Sequence, residues 1–315
     1  MDKKKLIINI FFQLAAISVI SSFFIFDYLD ISKIQLTFSN KFYGLIILLL
    51  LLKVFIASLF YTLVNTISNK RNNFLNITNI FLQGGIINML VPGLGLIFKY
   101  YKFKIDMGIT FAQYSVSQSL LSLGSLSAYI LLGFLFSFIK ITNVDLKNFL
   151  IVLLICFLVL ILLIIYRKFI YHFVKKKILQ IKKISNLYKE LTFIKSIIIK
   201  KKINFLFIWI GFFLLAFLEC YSFFLTIKVF GFDISFVNSN FIYISSSLVT
   251  VISMFNFIGL FELILSASAS LIEENFIDMM LIGLGFKLLN TFSLLSVIII
   301  NRLTFYLKKL LKKMT

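Results

Sequence analysis

Six stretches of this chain run in apolar residues for about the 20 positions that a helix needs to cross a bilayer. They are Leu6–Phe26, Phe42–Ile67, Met107–Ile139, Phe149–Tyr166, Ile203–Phe230 and Phe276–Ile300. Two more apolar stretches, Phe74–Phe98 and Phe236–Ile272, are broken in the middle. The first break carries Gly84-Gly85 and then Val91-Pro92-Gly93-Leu94-Gly95. The second carries Asn256-Phe257-Ile258-Gly259-Leu260-Phe261-Glu262, followed by the small-residue run Ser266-Ala267-Ser268-Ala269-Ser270. The pattern predicts six transmembrane helices and two re-entrant hairpins in one all-α integral membrane domain covering 1–315. The first apolar run follows Lys3-Lys4-Lys5 but is too long for a signal peptide and lacks a small-residue cleavage site, so it reads as an uncleaved anchor.

Composition agrees. The 315 residues are 61% hydrophobic and only 14% charged, with a mean hydropathy of +1.04. A soluble chain is about half apolar and about a quarter charged, so a cytosolic enzyme, a disordered chain and a disulfide scaffold are excluded. Cys156 and Cys220 lie inside apolar runs and support neither a disulfide nor a thiolate metal site. The single histidine, His172, reads as a bystander in a basic stretch. No cofactor is implied.

The net charge of +20 is explained by where the lysines sit. With the N-terminus inside and both broken stretches re-entrant, 25 of the 32 basic residues fall in cytoplasmic segments and four in outer loops. Seven carboxylates, Asp27, Asp30, Asp145, Asp233, Glu273, Glu274 and Asp278, fall outside. This is a positive-inside distribution. Letting only the first broken stretch cross would move the 12 basic residues of 167–202 to the outside. The reading is therefore a multi-pass protein of the cell membrane with both termini cytoplasmic and no nucleic-acid partner. Within 167–202, Ile181, Ile184, Tyr188, Leu191, Ile194 and Ile198 recur at helical spacing among lysines. That predicts an amphipathic cytoplasmic helix, either lying on anionic lipid headgroups or packed on the inner face of the bundle.

The two breaks also hint at symmetry. One hairpin dips in from the cytoplasm and the other from outside, which is the sequence pointer to an inverted-repeat fold with its site near the midplane.

Ionisable groups deep in hydrocarbon cost several kcal/mol and face a partner or a cavity. Lys53, Glu219, Glu262 and Lys287 are the candidates. Lys53 and Lys287 each lie eleven residues into their spans, roughly 16 Å deep at 1.5 Å per residue. Glu262 follows the Gly259 break and can meet Lys287 at one depth. Such a pair is either a site where an anionic lipid headgroup competes for the lysine or a structural tie between hairpin and last span. Glu219, counted from the cytoplasmic side, falls in the outer third, where it pairs with Lys228 or reaches the interface. In the first hairpin Asn88, Pro92, Gly93 and Gly95 break the helix. Lys99, Lys102 and Lys104 follow with Tyr100 and Tyr101 between them, as a headgroup-facing rim or an interfacial anchor.

The run Asn88-Met89-Leu90-Val91-Pro92-Gly93-Leu94-Gly95 with Lys99-Tyr100-Tyr101-Lys102 resembles the first signature of the lysylphosphatidylglycerol synthase transmembrane region, also called the flippase-like domain. Gly259-Leu260-Phe261-Glu262 is similar to that family's Gly-x-x-Glu turn, and Lys287 stands where a basic residue follows. Departures are Leu96 where an acidic residue is expected, Gln118 and Ser119 in place of a charged pair, and Asn256-Phe257-Ile258 in place of Pro-Gly-Gly. The resemblance implies translocation of a phospholipid, a glycolipid or a polysaccharide-lipid intermediate between leaflets. Its lipid-contacting positions would be Glu262, Lys287, Asn88, Pro92, Gly93, Gly95, Lys99, Asn256 and Gly259. It also implies a glycosyltransferase as a possible partner. The family's aminoacyl-transferring domain is C-terminal, and this chain ends thirteen residues after Arg302, so aminoacylation is not expected of it.

Two other readings stand beside lipid translocation. One is a non-transporting membrane partner of a glycosyltransferase. The other is a membrane transferase using lipid-linked sugar, for which Asp27 and Asp30 are the only carboxylate pair in the first outer loop. The orientation is testable directly. A cysteine placed by Ser185→Cys is expected to stay unmodified by a membrane-impermeant thiol reagent added to intact cells; labelling from outside would overturn the topology.

Overall fold

The computed structural model describes residues 40–69, 72–90, 93–139, 192–253, 260–270 and 274–314. The expected spans Leu6–Phe26 and Phe149–Tyr166 lie outside the described residues, as do 167–191 of the basic segment. So do Asp27, Asp30, Cys156, His172, Pro92, Asn256 and Gly259.

Among the described residues the elements are helices: α1 (Asn40–Ser68), α2 (Phe74–Leu90), α3 (Leu94–Met107), α4 (Phe111–Ile139), α5 (Lys202–Val229), α6 (Phe236–Ser253), α7 (Leu260–Ser270) and α8 (Phe276–Met314). Residues 192–200 are also helical. Four helices, α1, α4, α5 and α8, are long and apolar enough to cross a membrane. The all-α, membrane-spanning class expected from the sequence is therefore present in the fold.

The third expected span starts four residues late, at Phe111 rather than Met107. Gly108 is the reason. It adopts a left-handed φ of 62°, and the N–H groups of Gly108 and Ile109 bond the carbonyls of Lys104 and Phe103 at 3.1 and 3.2 Å. This is a glycine C-cap that closes α3 and frees the chain to start a new helix.

Helices α4, α5 and α8 all pack on α1, and α4 and α8 each also touch α5. Leu59 of α1 covers Gly211 of α5, and Lys201 Nζ at the start of α5 donates to Asn69 Oδ1 at the end of α1, 3.1 Å away. The two helices are thus antiparallel. Outward faces are apolar: Leu288, Phe292, Leu295, Ile299 and Leu303 recur at three- and four-residue spacing along α8, all exposed. A contiguous exposed apolar stripe of this kind is unusual on a soluble monomer and is what a bilayer-facing helix presents. In 192–200, Ile194 and Ile197 are buried and Ile198 half-buried, so this end of the basic segment packs against the bundle.

Both broken stretches fold back on themselves. Helix α3 returns along α2 through a glycine contact so close that a Cβ on Gly95 would sit 2.0 Å from the Gly84 carbonyl oxygen. Gly93 turns the chain with φ 84°, and its N–H donates to Asn88 Oδ1 at 2.8 Å. Helix α7 returns along α6, bringing the rings of Phe261 and Tyr243 within 6.0 Å although 18 positions separate them. The first hairpin is carried by the C-terminal end of α1 and the second by the C-terminal end of α5. Because α1 and α5 are antiparallel, the hairpins start from opposite ends of the bundle.

Overpacking a tight contact costs about 1–3 kcal/mol. Gly95→Ala is therefore expected to lower the midpoint of thermal unfolding in detergent by several degrees. Gly44→Ala, at a position with nothing within 4 Å of the added carbon, is expected to leave it unchanged or slightly raised. Equal effects would remove the glycine contact as the hairpin's fastening.

Candidate functional site

Helix α7 starts immediately after the second break and carries Glu262 in its first turn, where the helix dipole favours a negative charge. Glu262 is fully buried. Its neighbour across the interface is Gly283 of α8, whose missing side chain lets α7 approach: a Cβ there would lie 3.3 Å from Glu262 Cγ. One turn further along the same face of α8 is Lys287. Its Nζ lies 3.3 Å from Glu262 Oε1, and its side chain is 12% exposed against 0% for the glutamate. The pairing expected from depth arithmetic is therefore present.

A second polar group lies beside it, built from four helices. Lys53 Nζ of α1 donates to Asn290 Oδ1 of α8 at 2.6 Å. The Asn290 amide nitrogen donates in turn to the Phe286 carbonyl at 3.0 Å, which fixes its oxygen toward the lysine. Lys53 also acts electrostatically on Glu219 of α5, and Glu219 Oε2 accepts a hydrogen bond from the Tyr129 hydroxyl of α4. The expected alternatives for Glu219 are corrected here. It bonds Tyr129 rather than Lys228, and it lies ten residues inside the end of its helix. Lys228 bonds Asp233 instead, and that ammonium holds the exposed Asp233 carboxyl below its usual range.

These groups share one level of the bundle. Lys53 lies thirteen residues past Asn40, Tyr129 ten before Ile139, Glu219 ten before Val229 and Lys287 eleven past Phe276. All are within about one helical turn of each other. Lys287 and Asn290 are three residues apart on α8, so that helix carries a member of each group. An aromatic cluster joins two of the same helices, α5 and α8, to α6: the ring centroid of Phe223 lies 5.2 Å from that of Tyr243 and 5.3 Å from that of Phe286, and those of Tyr243 and Phe286 are 5.7 Å apart.

Tyr129, Asn290, Tyr243 and Gly283 were not singled out by the sequence reading. Counting Glu219 from the outer end of its span, eleven residues before Phe230, would have put it level with Lys53 and Lys287. The sequence offers no comparable sign for the two neutral partners, Asn290 and Tyr129.

The first-hairpin residues form a group of their own. Asn88, Gly93 and Gly95 build the turn, and Lys99 is 7% exposed, with its stem crossing Gly84 and its Nζ 4.9 Å from the centroid of the Phe81 ring. Lys99 is thus not part of an open rim; Lys104 is exposed and Lys102 half-buried. The hairpin reaches the last helix through Gly85, which packs on Leu294, about two turns from Lys287. Among the described residues no cluster of histidine, cysteine, aspartate or glutamate suited to a metal ion is found.

Comparison with protein-family models, curated proteins and solved structures gives no match.

Removing one partner of a buried ion pair leaves an uncompensated charge, at a cost of about 3–5 kcal/mol, whereas replacing both is often neutral. Lys287→Met is therefore expected to lower thermal stability strongly, and the double variant Glu262→Gln/Lys287→Met to recover most of the loss. Additive losses in that double-mutant cycle would mean the two side chains do not act as a pair.

Proposed function

We propose that the protein is a flippase-like membrane protein that moves a lipid with an anionic phosphate headgroup between leaflets. That headgroup could belong to a phospholipid, a glycolipid or a polysaccharide-lipid intermediate. The observation that carries this reading is the Glu262–Lys287 pair, buried where the tip of a broken helix meets the last long helix. A carboxylate at a helix start and an ammonium opposite form a site that an anion can open by replacing the carboxylate on the lysine. The backbone N–H groups at the start of α7 give the same anion further donors.

The proposal includes the topology set out above: six spans, both hairpins re-entrant and both termini cytoplasmic in the cell membrane. Hairpins rooted at opposite ends of the bundle support it, as does the resemblance of Asn88–Gly95 and Gly259–Glu262 to the flippase-like domain. The basic cytoplasmic face would gather anionic lipid. No group with the makings of a catalytic centre enters the reading, and the protein acts by binding and relocating its substrate.

The test is leaflet exchange in reconstituted vesicles, using fluorescent phosphatidylglycerol in one set and a fluorescent phosphate-linked glycolipid in another. Wild-type protein is expected to accelerate exchange of at least one of them over empty vesicles. A charge-assisted hydrogen bond contributes about 1.5–3 kcal/mol; its loss in Lys287→Met is expected to slow exchange about tenfold or more. No acceleration for either lipid would sink the reading and favour a membrane partner that anchors a glycosyltransferase.

A further inference from the structure

We propose that Glu219 is a proton-binding site coupled to the headgroup site, taking up one proton as an anionic headgroup pairs with Lys287. The inference rests on the lipid reading above and adds to it the co-substrate.

At their ordinary ionisation Lys53 and Lys287 carry positive charges and Glu219 and Glu262 negative ones, and the four share one level of the bundle. Together they are neutral. An anionic headgroup bound there adds a negative charge to a region where an unbalanced ion costs several kcal/mol. A proton arriving with the anion removes that cost. Of the carboxylates, Glu262 sits in the headgroup site itself, on the lysine that the anion must reach. Glu219 lies in the adjoining group and has a hydroxyl hydrogen bond already aimed at it.

That hydroxyl opens a route. Tyr129 donates to Glu219 Oε2, and the ring of Tyr243 lies edge-on to that of Tyr129, centroids 6.2 Å apart. Asn240, Tyr243 and Ser247 are spaced by three and four residues and so lie on one face of α6. Asn240 is 0% exposed, and neither its amide nitrogen nor its amide oxygen has a hydrogen-bond partner among the described residues. A buried amide of this kind marks a place for water, which takes two to four polar partners when buried. The polar face therefore runs from the start of α6, where the helix leaves the end of the bundle, to the Tyr129–Glu219 bond.

The step itself is one proton transfer. At that end a hydronium ion gives up one proton and becomes water, each hydroxyl on the way accepts one proton as it releases another, and the last release, from Tyr129, forms an O–H bond on the Glu219 carboxylate. No bond other than these O–H bonds is made or broken. Lys53 keeps its charge and its bond to Asn290, three residues from Lys287, and its charge then offsets the headgroup in place of the lost Glu219 charge. The titratable groups acting on Glu219 are Lys53 from α1, Tyr129 from α4, Tyr243 from α6 and Cys220 beside it on α5. Helix α8 meets the group through Asn290, which does not titrate.

Isothermal titration calorimetry of the purified full chain in detergent tests this. Short-chain phosphatidylglycerol is titrated in two buffers of different ionisation enthalpy, with phosphatidylcholine as the zwitterionic control. Wild type is expected to take up about one proton per phosphatidylglycerol bound. By linkage its affinity then falls about tenfold per pH unit while the carboxylate must be protonated to bind. Glu219→Gln is expected to bind the lipid with the uptake gone. Binding without uptake and with a flat pH dependence would overturn the coupling and leave the lipid reading intact. Uptake lost in Glu262→Gln but kept in Glu219→Gln would overturn the assignment to Glu219. No binding of phosphatidylglycerol at all would overturn the lipid reading and this inference with it. Should Glu219→Gln not fold, the wild-type proton count decides the coupling and Glu262→Gln the assignment: uptake is expected to persist in Glu262→Gln, and its loss there would overturn Glu219 as the site.

Discussion

A charge enclosed by helices and hydrocarbon has to be cancelled within a few ångströms, and the centre of this protein is arranged around that constraint. Two lysines and two glutamates lie at one level of the bundle, each with a partner contributed by another helix. Lys287 meets Glu262 at 3.3 Å, Lys53 meets Asn290 at 2.6 Å, and Glu219 meets Tyr129. These contacts tie α1 to α8, α7 to α8 and α4 to α5. Apolar packing between such helices is weakly selective in a membrane, because lipid tails are as apolar as leucine. Paired charges are selective. They fix which helices meet and at what height.

The hairpins place the charges, and glycine makes the hairpins. Gly84 and Gly95 let α2 and α3 come so close that a Cβ at either position would clash. Gly283 does the same, less tightly, where α7 approaches α8. The result at α7 is a helix start buried inside the bundle with a carboxylate in its first turn. A straight crossing would have put the helix start at the membrane surface, where water would screen both the dipole and the charge. Breaking the helix brings its polar end to the depth at which Lys287 waits.

How much of this could be read from the sequence depends on what each inference needed. A constant rise of 1.5 Å per residue is enough to place two charges at one depth, so the Glu262–Lys287 pair was legible. The same arithmetic misplaced Glu219 because it was counted from the inner end of a 28-residue helix. That helix is about 42 Å long at the same rise, longer than a core of about 30 Å, so the end chosen for counting decides the answer. Lys99 was misread for another reason. A lysine beside two tyrosines looks like an interfacial anchor, and only the tertiary contact with Gly84 and Phe81 reveals that it turns inward. Tyr129 and Asn290 are single residues in apolar helices, and no local pattern separates them from their neighbours. Selecting them requires knowing which helices touch, a property of the packed bundle.

Helix α8 joins these threads because its two faces do different work. Gly283, Lys287 and Asn290 point to the other helices, while Leu288, Phe292, Leu295 and Ile299 lie exposed on its far side. Adjacent positions 287 and 288 thus face a counter-ion and the surroundings of the bundle. Under the proposed lipid translocation, a headgroup moving past such a helix would keep its acyl chains on the apolar stripe and its charge on the polar one. The two demands of a lipid, a dry tail and a compensated head, would then be met less than one turn apart on the same helix. On that proposal the single-residue step from Lys287 to Leu288 matters more than either residue alone.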